Sequence, residues 1–155
     1  MEIRHATLSD IETLIRLRLE FLIDGGYRGE AEDRSELTER LRAYFTETLP
    51  TGQFLAVLAE EEGEVASVAY LSVSRRYSRR VEAIRPCGMI YNVYTPPKFR
   101  RRGLATKVLE ELLRCAKCLE LESVDLLASD AGKPLYEKLG FAEPSHTYMV
   151  KRMSD

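Results

Sequence analysis

The chain has 155 residues, 45% of them hydrophobic and 31% charged and both kinds spread along its length, which excludes a disordered polyelectrolyte and a fibrous repeat. A chain of this size removes roughly 68–70% of its unfolded surface from water, enough for one core and a single domain over residues 1–155. Lys plus Arg number 23 against 25 Asp plus Glu, a net charge of -2, so the overall charge attracts neither nucleic acid nor an anionic membrane.

The opening residues, MEIRHATLSD, are polar where a secretory leader needs an apolar centre. No run approaches the roughly 18 apolar residues of a membrane span, so a cytoplasmic setting is expected. Residues 2–6 predict a short strand. Thr7 or Ser9 caps the next helix, with Glu12 three residues after Ser9 as in a capping box. Ile11, Leu14, Ile15, Leu17, Phe21 and Leu22 form its apolar stripe, and Gly25-Gly26 ends it. After a polar connection at 27–34, a second helix is expected over Ser35–Leu49, with Leu37, Leu41, Tyr44 and Phe45 on one side and Pro50 as its stop.

Residues 53–59 and 65–74 read as the strands of a hairpin whose acidic tip, Glu60 to Glu64, is solvated. Arg75, Arg76, Arg79, Arg80 and Arg85 crowd a segment expected to be an exposed loop. A strand at about 88–95 stops at Pro96-Pro97, because proline cannot donate to a ladder and restricts the residue before it. A long helix follows over 103–120, with Leu104, Val108, Leu112, Cys115, Ala116 and Leu119 inward. A strand at 123–128, a short helix over Pro134–Leu139 and a last strand at 145–152 complete the chain. Three cysteines, Cys87, Cys115 and Cys118, are expected as reduced thiols. The Cys115-x-x-Cys118 pair falls mid-helix with no second Cys or His pair nearby in sequence, so it reads as helix packing and no metal is expected.

The most informative stretch runs from Tyr91 to Lys107: a strand, Pro-Pro, then Arg100-Arg101-Arg102-Gly103-Leu104-Ala105-Thr106 opening a helix. A helix start presents unpaired N–H groups and the positive end of the macrodipole, which together hold phosphate. Gly103 and Ala105 keep the backbone approachable, and the arginines add positive charge, so the segment reads as a pyrophosphate cradle. It is neither a P-loop nor a Gly-x-Gly-x-x-Gly fingerprint, which removes support from kinase and dehydrogenase readings.

In Arg100–Ala105 the chain resembles the GNAT superfamily of N-acetyltransferases, whose acetyl-CoA motif is Arg/Gln-x-x-Gly-x-Gly/Ala after a strand. Leu135-Tyr136-Glu137-Lys138-Leu139-Gly140-Phe141 matches a second signature of that family, and the element order agrees over essentially the whole chain. The resemblance implies an α+β fold with a mixed, mostly antiparallel sheet, flanked by helices on both faces and splayed between the strands at 88–95 and 123–128. Acetyl-CoA is the implied co-substrate. Backbone groups of Val93, Tyr94 and Thr95 would bond its pantetheine arm, and Arg100, Arg101, Arg102, Gly103, Leu104, Ala105 and Thr106 its pyrophosphate; Ser129 joins the same coenzyme-binding set. The implied activity is direct transfer of acetyl from thioester to a primary amine in a ternary complex.

That transfer needs a neutral amine, a polarised carbonyl and a protonated leaving thiolate. An alkyl amine near pKa 10 is free base in only roughly one molecule in a thousand at neutral pH, so the site must accept a proton. Tyr136 matches the family tyrosine placed near the sulfur as the acid, and a phenol is protonated at neutral pH. The strand at 88–95 offers Tyr91 and Asn92 but no carboxylate; Asn92 orients a water or binds substrate, and a water-mediated base is preferred over Glu20, Glu82, His5 or His146. The acceptor, a small molecule or peptide bearing an amine, would meet residues 24–34 and the 75–85 loop. There Asp24, Glu30, Glu32 and Asp33 suit a cation while the arginines suit an acid, so protein N-terminus, lysine, polyamine, amino acid and antibiotic all stay open. The competing reading is an acetyl-CoA-binding sensor without turnover; nucleic-acid binding through the arginines is disfavoured by the pI near 5.8. Homodimers are frequent in the family, but the sequence carries no diagnostic interface.

Overall fold

The computed structural model describes residues 1–77 and 84–154, leaving aside the side chains of Glu32, Tyr77 and Ile84. The elements run β1 (Glu2–His5), α1 (Ile11–Asp24), α2 (Ala31–Thr48), β2 (Phe54–Glu61), β3 (Glu64–Tyr77), β4 (Ile84–Tyr94), α3 (Leu104–Cys118), β5 (Val124–Asp125) and α4 (Lys133–Lys138). The sheet follows chain order, β1-β2-β3-β4-β5. Its first four strands pair antiparallel and β5 joins β4 in parallel, giving the mixed sheet the sequence implies.

Helices cover both faces, which is why β2 and β3 read as near-continuous apolar runs rather than alternating ones. Ala56, Leu58, Val68 and Tyr70 face α1 and α2 with Leu14, Leu17 and Phe45. Val57, Ala59, Ala69 and Leu71 face the other way, onto Val108, Leu109 and Leu112 of α3. Phe45, Phe54 and Tyr70 stack with ring centroids 4.8 and 5.3 Å apart, and the buried Tyr70 hydroxyl donates to the Leu14 carbonyl at 2.5 Å. That bond ties α1 to the sheet and leaves no polar end of the ring unpaired.

Several expectations change on folding. The cap before α1 is Thr7 with Asp10, not Ser9 with Glu12: the Thr7 amide donates to Asp10 Oδ2 at 2.7 Å, while Glu12 pairs with Arg42 of α2. Helix α2 starts at Ala31, inside the supposed polar connection. The acidic tip shrinks to Glu62-Gly63, both at positive φ (52° and 78°) as a two-residue hairpin turn requires. Its neighbours are not merely solvated, since Glu60 pairs with Arg4, Glu61 with Arg102 and Glu64 with Lys98. Arg75 and Arg76 belong to β3 and Arg85 to β4, so much of the expected 75–85 loop is sheet; Arg79, Arg80 and Glu82 lie outside the described residues.

At the C-terminal end, β5 keeps two paired residues of the six expected, and residues 145–152 form no strand. Pro144 supplies no donor at the entry to that segment. Tyr148, Met149 and Val150 stay exposed there, without the ladder partner a strand requires. Leu119, expected to face inward, is exposed because α3 ends one residue before it. No helix among the described residues is long and apolar enough to cross a membrane.

Candidate functional site

Two breaks in regular pairing place the site. Tyr70 stands opposite Tyr91 and Val68 opposite Tyr94, so Asn92 and Val93 together face the single residue Ala69: a bulge in β4. Asn92 absorbs it with φ of 54°, in the left-handed region that Asn tolerates better than most residues. The second break is on the other side of β4. Gly88 and Met89 pair with Val124 and Asp125 and the ladder stops, so among the described residues no strand stands beside residues 90–94 on that edge. The expected splay is therefore present, and it opens beyond Met89, ahead of the bulge.

Beyond the splay, Pro97–Phe99 form one 3-10 turn and the chain enters α3 through two left-handed residues, Arg101 (φ 63°) and Gly103 (φ 72°). Gly103 is the N-cap of α3 and no side chain caps the helix; the first bond closing on it is Lys107 N–H to Gly103 carbonyl at 3.3 Å. The amides of Leu104, Ala105 and Thr106 are thus the orphan donors of a helix start. A Cβ added at Gly103 would meet nothing within 4 Å, so the glycine serves its backbone angle and leaves the space in front of the helix clear.

The arginines divide. Arg100 donates to the Thr95 carbonyl at 2.9 Å and to Asp24 Oδ2 at 2.8 Å. Arg102 pairs with Glu61 at 2.9 Å and reaches the Lys98 carbonyl. Through these bonds both side chains hold the turn to the scaffold. Tyr94 also bonds Asp24, at 3.0 Å, and its phenol is pushed up to about 12, by burial first and the carboxylate second. Its carbonyl accepts from Ser67 at 3.3 Å, and Thr95 shares a 2.8 Å hydroxyl bond with the same Ser67.

Asn92 is 2% exposed; its Oδ1 accepts from Arg18 of α1 at 3.2 Å, and its Nδ2 has no partner among the described residues. Arg18 lies over the Phe21 and Tyr91 rings, 5.5 and 6.0 Å from their centroids, and makes no ion pair among the described residues. Burial lowers its pKa and raises those of Tyr70 and Tyr91. Sequence reasoning missed Arg18, because one arginine in an apolar helix stripe gives no sign of pointing inward.

Tyr136 of α4 packs half-buried on the α3 face of the sheet, edge-on to Phe141 at 6.0 Å, and burial raises its pKa. Ser129 accepts from the Gly132 amide at 3.1 Å, shaping the turn into α4, and a Cβ on Gly132 would come within 3.1 Å of Tyr136. Tyr136 and the Asn92 side chain lie on opposite faces of the sheet, with β4 between them. A groove of about 1410 Å³ opens between β5 and residues 141–149; it is lined by Tyr136, by Arg76 and Arg85 of the segment expected to meet the acceptor and by His146, but by none of residues 92–106. The other acid–base candidates are engaged elsewhere: Glu20 with Arg16, His5 with Glu111 and His146 with Ser145.

A sequence model of the acetyltransferase (GNAT) family matches residues 14–141. The chain belongs to that family. A predicted acetyltransferase with acetyl-CoA from Clostridium acetobutylicum is 27% identical, with a TM-score of 0.84 over 97% of this chain and 95% of that one. Glucosamine-6-phosphate N-acetyltransferase from Arabidopsis thaliana is 25% identical, with a TM-score of 0.74 over 99% and 98%. A GCN5-related N-acetyltransferase from Ralstonia eutropha shares the fold at 20% identity and a TM-score of 0.81, over 97% of both chains. No curated protein matches the chain. In this GNAT fold the edge of β4 beyond Met89 has no strand partner among the described residues, and α3 starts uncapped at Gly103.

Proposed function

We propose that this GNAT-family protein is an acetyl-CoA-dependent N-acetyltransferase that moves acetyl to a primary amine by direct attack in a ternary complex. The observation carrying the proposal is the unladdered edge of β4 beyond Met89, leading to the uncapped start of α3 at Gly103. When bound, the coenzyme supplies an activated acyl group and a thiolate leaving group. Val93, Tyr94 and Thr95 would line its arm, and the amides from Arg101 to Thr106 its diphosphate, with Arg101 beside them. Ser129 would help through the turn it caps.

The chain's own residues divide the remaining tasks. Asn92 holds an amide donor whose burial without a partner costs roughly 1–3 kcal/mol, and its carbonyl is turned toward Arg18, which fixes the orientation. Such a donor is suited to a carbonyl or an ordered water at the bulge. Tyr136 keeps its phenol protonated at neutral pH and can return that proton to sulfur, while burial raises its pKa and makes it a weaker acid. The base is a water-mediated path to solvent, since Arg18, Tyr70 and Tyr91 around Asn92 take up no proton at neutral pH.

The lack of a proton acceptor directly around Asn92 among the described residues favours a second reading, a coenzyme-binding module without turnover. One assay separates the two: thiol release from acetyl-CoA against a broad panel of primary amines, beside calorimetry with the coenzyme alone. Amine-dependent thiol supports the transferase; heat of binding without thiol from any amine supports the module; no heat removes both.

A further inference from the structure

Folding joins three side chains that the sequence keeps far apart. His5 ends β1, at the edge of the sheet, while Glu111 and Cys115 occupy successive turns on one side of α3. His5 Nε2 lies 3.0 Å from Glu111 Oε1 and 3.5 Å from Cys115 Sγ, and Cys115 Sγ lies 3.7 Å from the same carboxylate oxygen. One nitrogen, one oxygen and one sulfur thus form a compact triangle, with all three atoms within 4.8 Å of one another.

Zinc bonds nitrogen and oxygen at roughly 2.0–2.2 Å and sulfur at about 2.3 Å with tetrahedral angles, so the edges of its coordination shell are about 3.4 Å for N to O and about 3.6 Å for sulfur to either. The triangle reproduces both sulfur edges to about 0.1 Å and needs its N to O edge to open by about 0.4 Å. Hydrogen bonds of the 7% exposed Cys115 thiol with Glu111, one helical turn away, and with His5 hold the triangle without an ion, and a metal would replace them with bonds to itself. We propose that His5, Glu111 and Cys115 bind a divalent transition-metal ion of zinc's class, fastening edge strand β1 to α3. Binding forms three metal–ligand bonds, releases the Cys115 thiol proton to solvent and changes no oxidation state. The carboxylate and thiolate together neutralise the ion. His5, 46% exposed at its side chain, marks the solvent side, where water completes the shell.

Arg114 is the competitor. It grips Glu111 through Nε at 2.8 Å and through a second nitrogen at 2.6 Å, and its remaining nitrogen touches Cys118 Sγ at 3.7 Å. Its side chain is 62% exposed and free to swing away. Cys118 is therefore arginine-bound and takes no part in the shell, so the ligating thiol is Cys115 with a histidine 110 residues away, not the Cys-x-x-Cys pair.

The test uses the purified, metal-stripped full chain and Co²⁺ as the probe. A sulfur-to-cobalt charge-transfer band with intense tetrahedral d–d bands is expected, displaced by Zn²⁺. Zn²⁺ at about a hundredfold over its Kd should raise the Tm by roughly 5–11 °C. Cys115→Ser should remove the charge-transfer band; His5→Gln, at an exposed position, should weaken binding by at least roughly 10–100-fold, as even outer-shell changes do. Cys118→Ser should leave both spectrum and affinity in place. Absence of the bands from the wild type, their survival in Cys115→Ser, unaltered affinity in His5→Gln, or their loss in Cys118→Ser overturns the assignment.

Discussion

Gly103→Ala tests whether main-chain donors at the start of α3 grip the coenzyme. At φ of 72° an L side chain costs roughly 1–2 kcal/mol, and since an added Cβ meets nothing within 4 Å there is no clash to add. At roughly 2–4 °C per kcal/mol for a chain of this size, the Tm should fall by roughly 2–8 °C with the fold intact. Gly52→Ala is the matched control: φ is 74°, its Cβ is also uncrowded, and it precedes β2 at the end of that strand remote from Tyr94. It should lose the same few degrees.

The two variants should part when acetyl-CoA is added. At a hundredfold over Kd the ligand contributes ~2.7 kcal/mol to native stability, or roughly 5–11 °C. A methyl standing where the diphosphate meets the Gly103 backbone should weaken binding at least tenfold, which halves that shift at the same ligand concentration. Gly52→Ala should keep the whole shift in differential scanning fluorimetry. Equal shifts in the two variants would refute the placement of the diphosphate, whatever their absolute stabilities.

Tyr136→Phe should lower kcat at least tenfold while leaving the acetyl-CoA Kd within about twofold, the pattern of a group that acts on the leaving thiolate; stopped-flow thiol detection and calorimetry read the two quantities. Gly88→Ala puts a Cβ 2.7 Å from Leu71 Cδ1 and 3.0 Å from Leu121 Cδ1, so it should cost roughly 1–3 kcal/mol and speed amide exchange at Val124 and Asp125. Asp10→Asn should cost about 1–2 kcal/mol at neutral pH, because Arg4 grips that 10% exposed carboxylate through two bonds of 2.9 and 2.8 Å. Those bonds hold the Asp10 pKa below its ordinary value, so the stability is present above about pH 3.9 and is lost as pH falls through the depressed folded value. Denaturation curves of wild type and variant should therefore converge in acid; a constant gap would show that the ion pair is not its source.

What the sequence discloses is what local physics determines. Periodicity located α1 and α3, and the Arg100–Ala105 motif with Tyr136 and Phe141 pointed to the family, because those features depend on neighbours within a few residues. Partners supplied by another element stayed hidden. Arg100 and Arg102 looked like free cations in sequence, yet Asp24 and Glu61 claim them from 76 and 41 residues away. His5 was absent from any reading of Cys115 for the same reason. The 145–152 segment failed in the opposite direction: its Tyr-Met-Val run reads as a strand, but a strand exists only where another offers an edge, and β5 pairs over two residues.

The bulge at Asn92 links these levels. Two residues opposite one interrupt the ladder and force a left-handed angle, which a β-branched residue would resist and Asn accepts. The same distortion buries an amide whose one bond goes to Arg18, a cation that itself has no counter-ion among the described residues. Stability alone would replace both with apolar side chains of similar volume, since a buried polar pair left incomplete is worse than none. An acceptor on a ligand or an ordered water beside the free edge of β4 would complete the pair. Asn92→Gly, which keeps the backbone angle and removes the amide, should lower turnover by an order of magnitude or more while shifting Tm by only a few degrees. Wild-type kcat in that variant would assign the unsatisfied amide to the bulge alone.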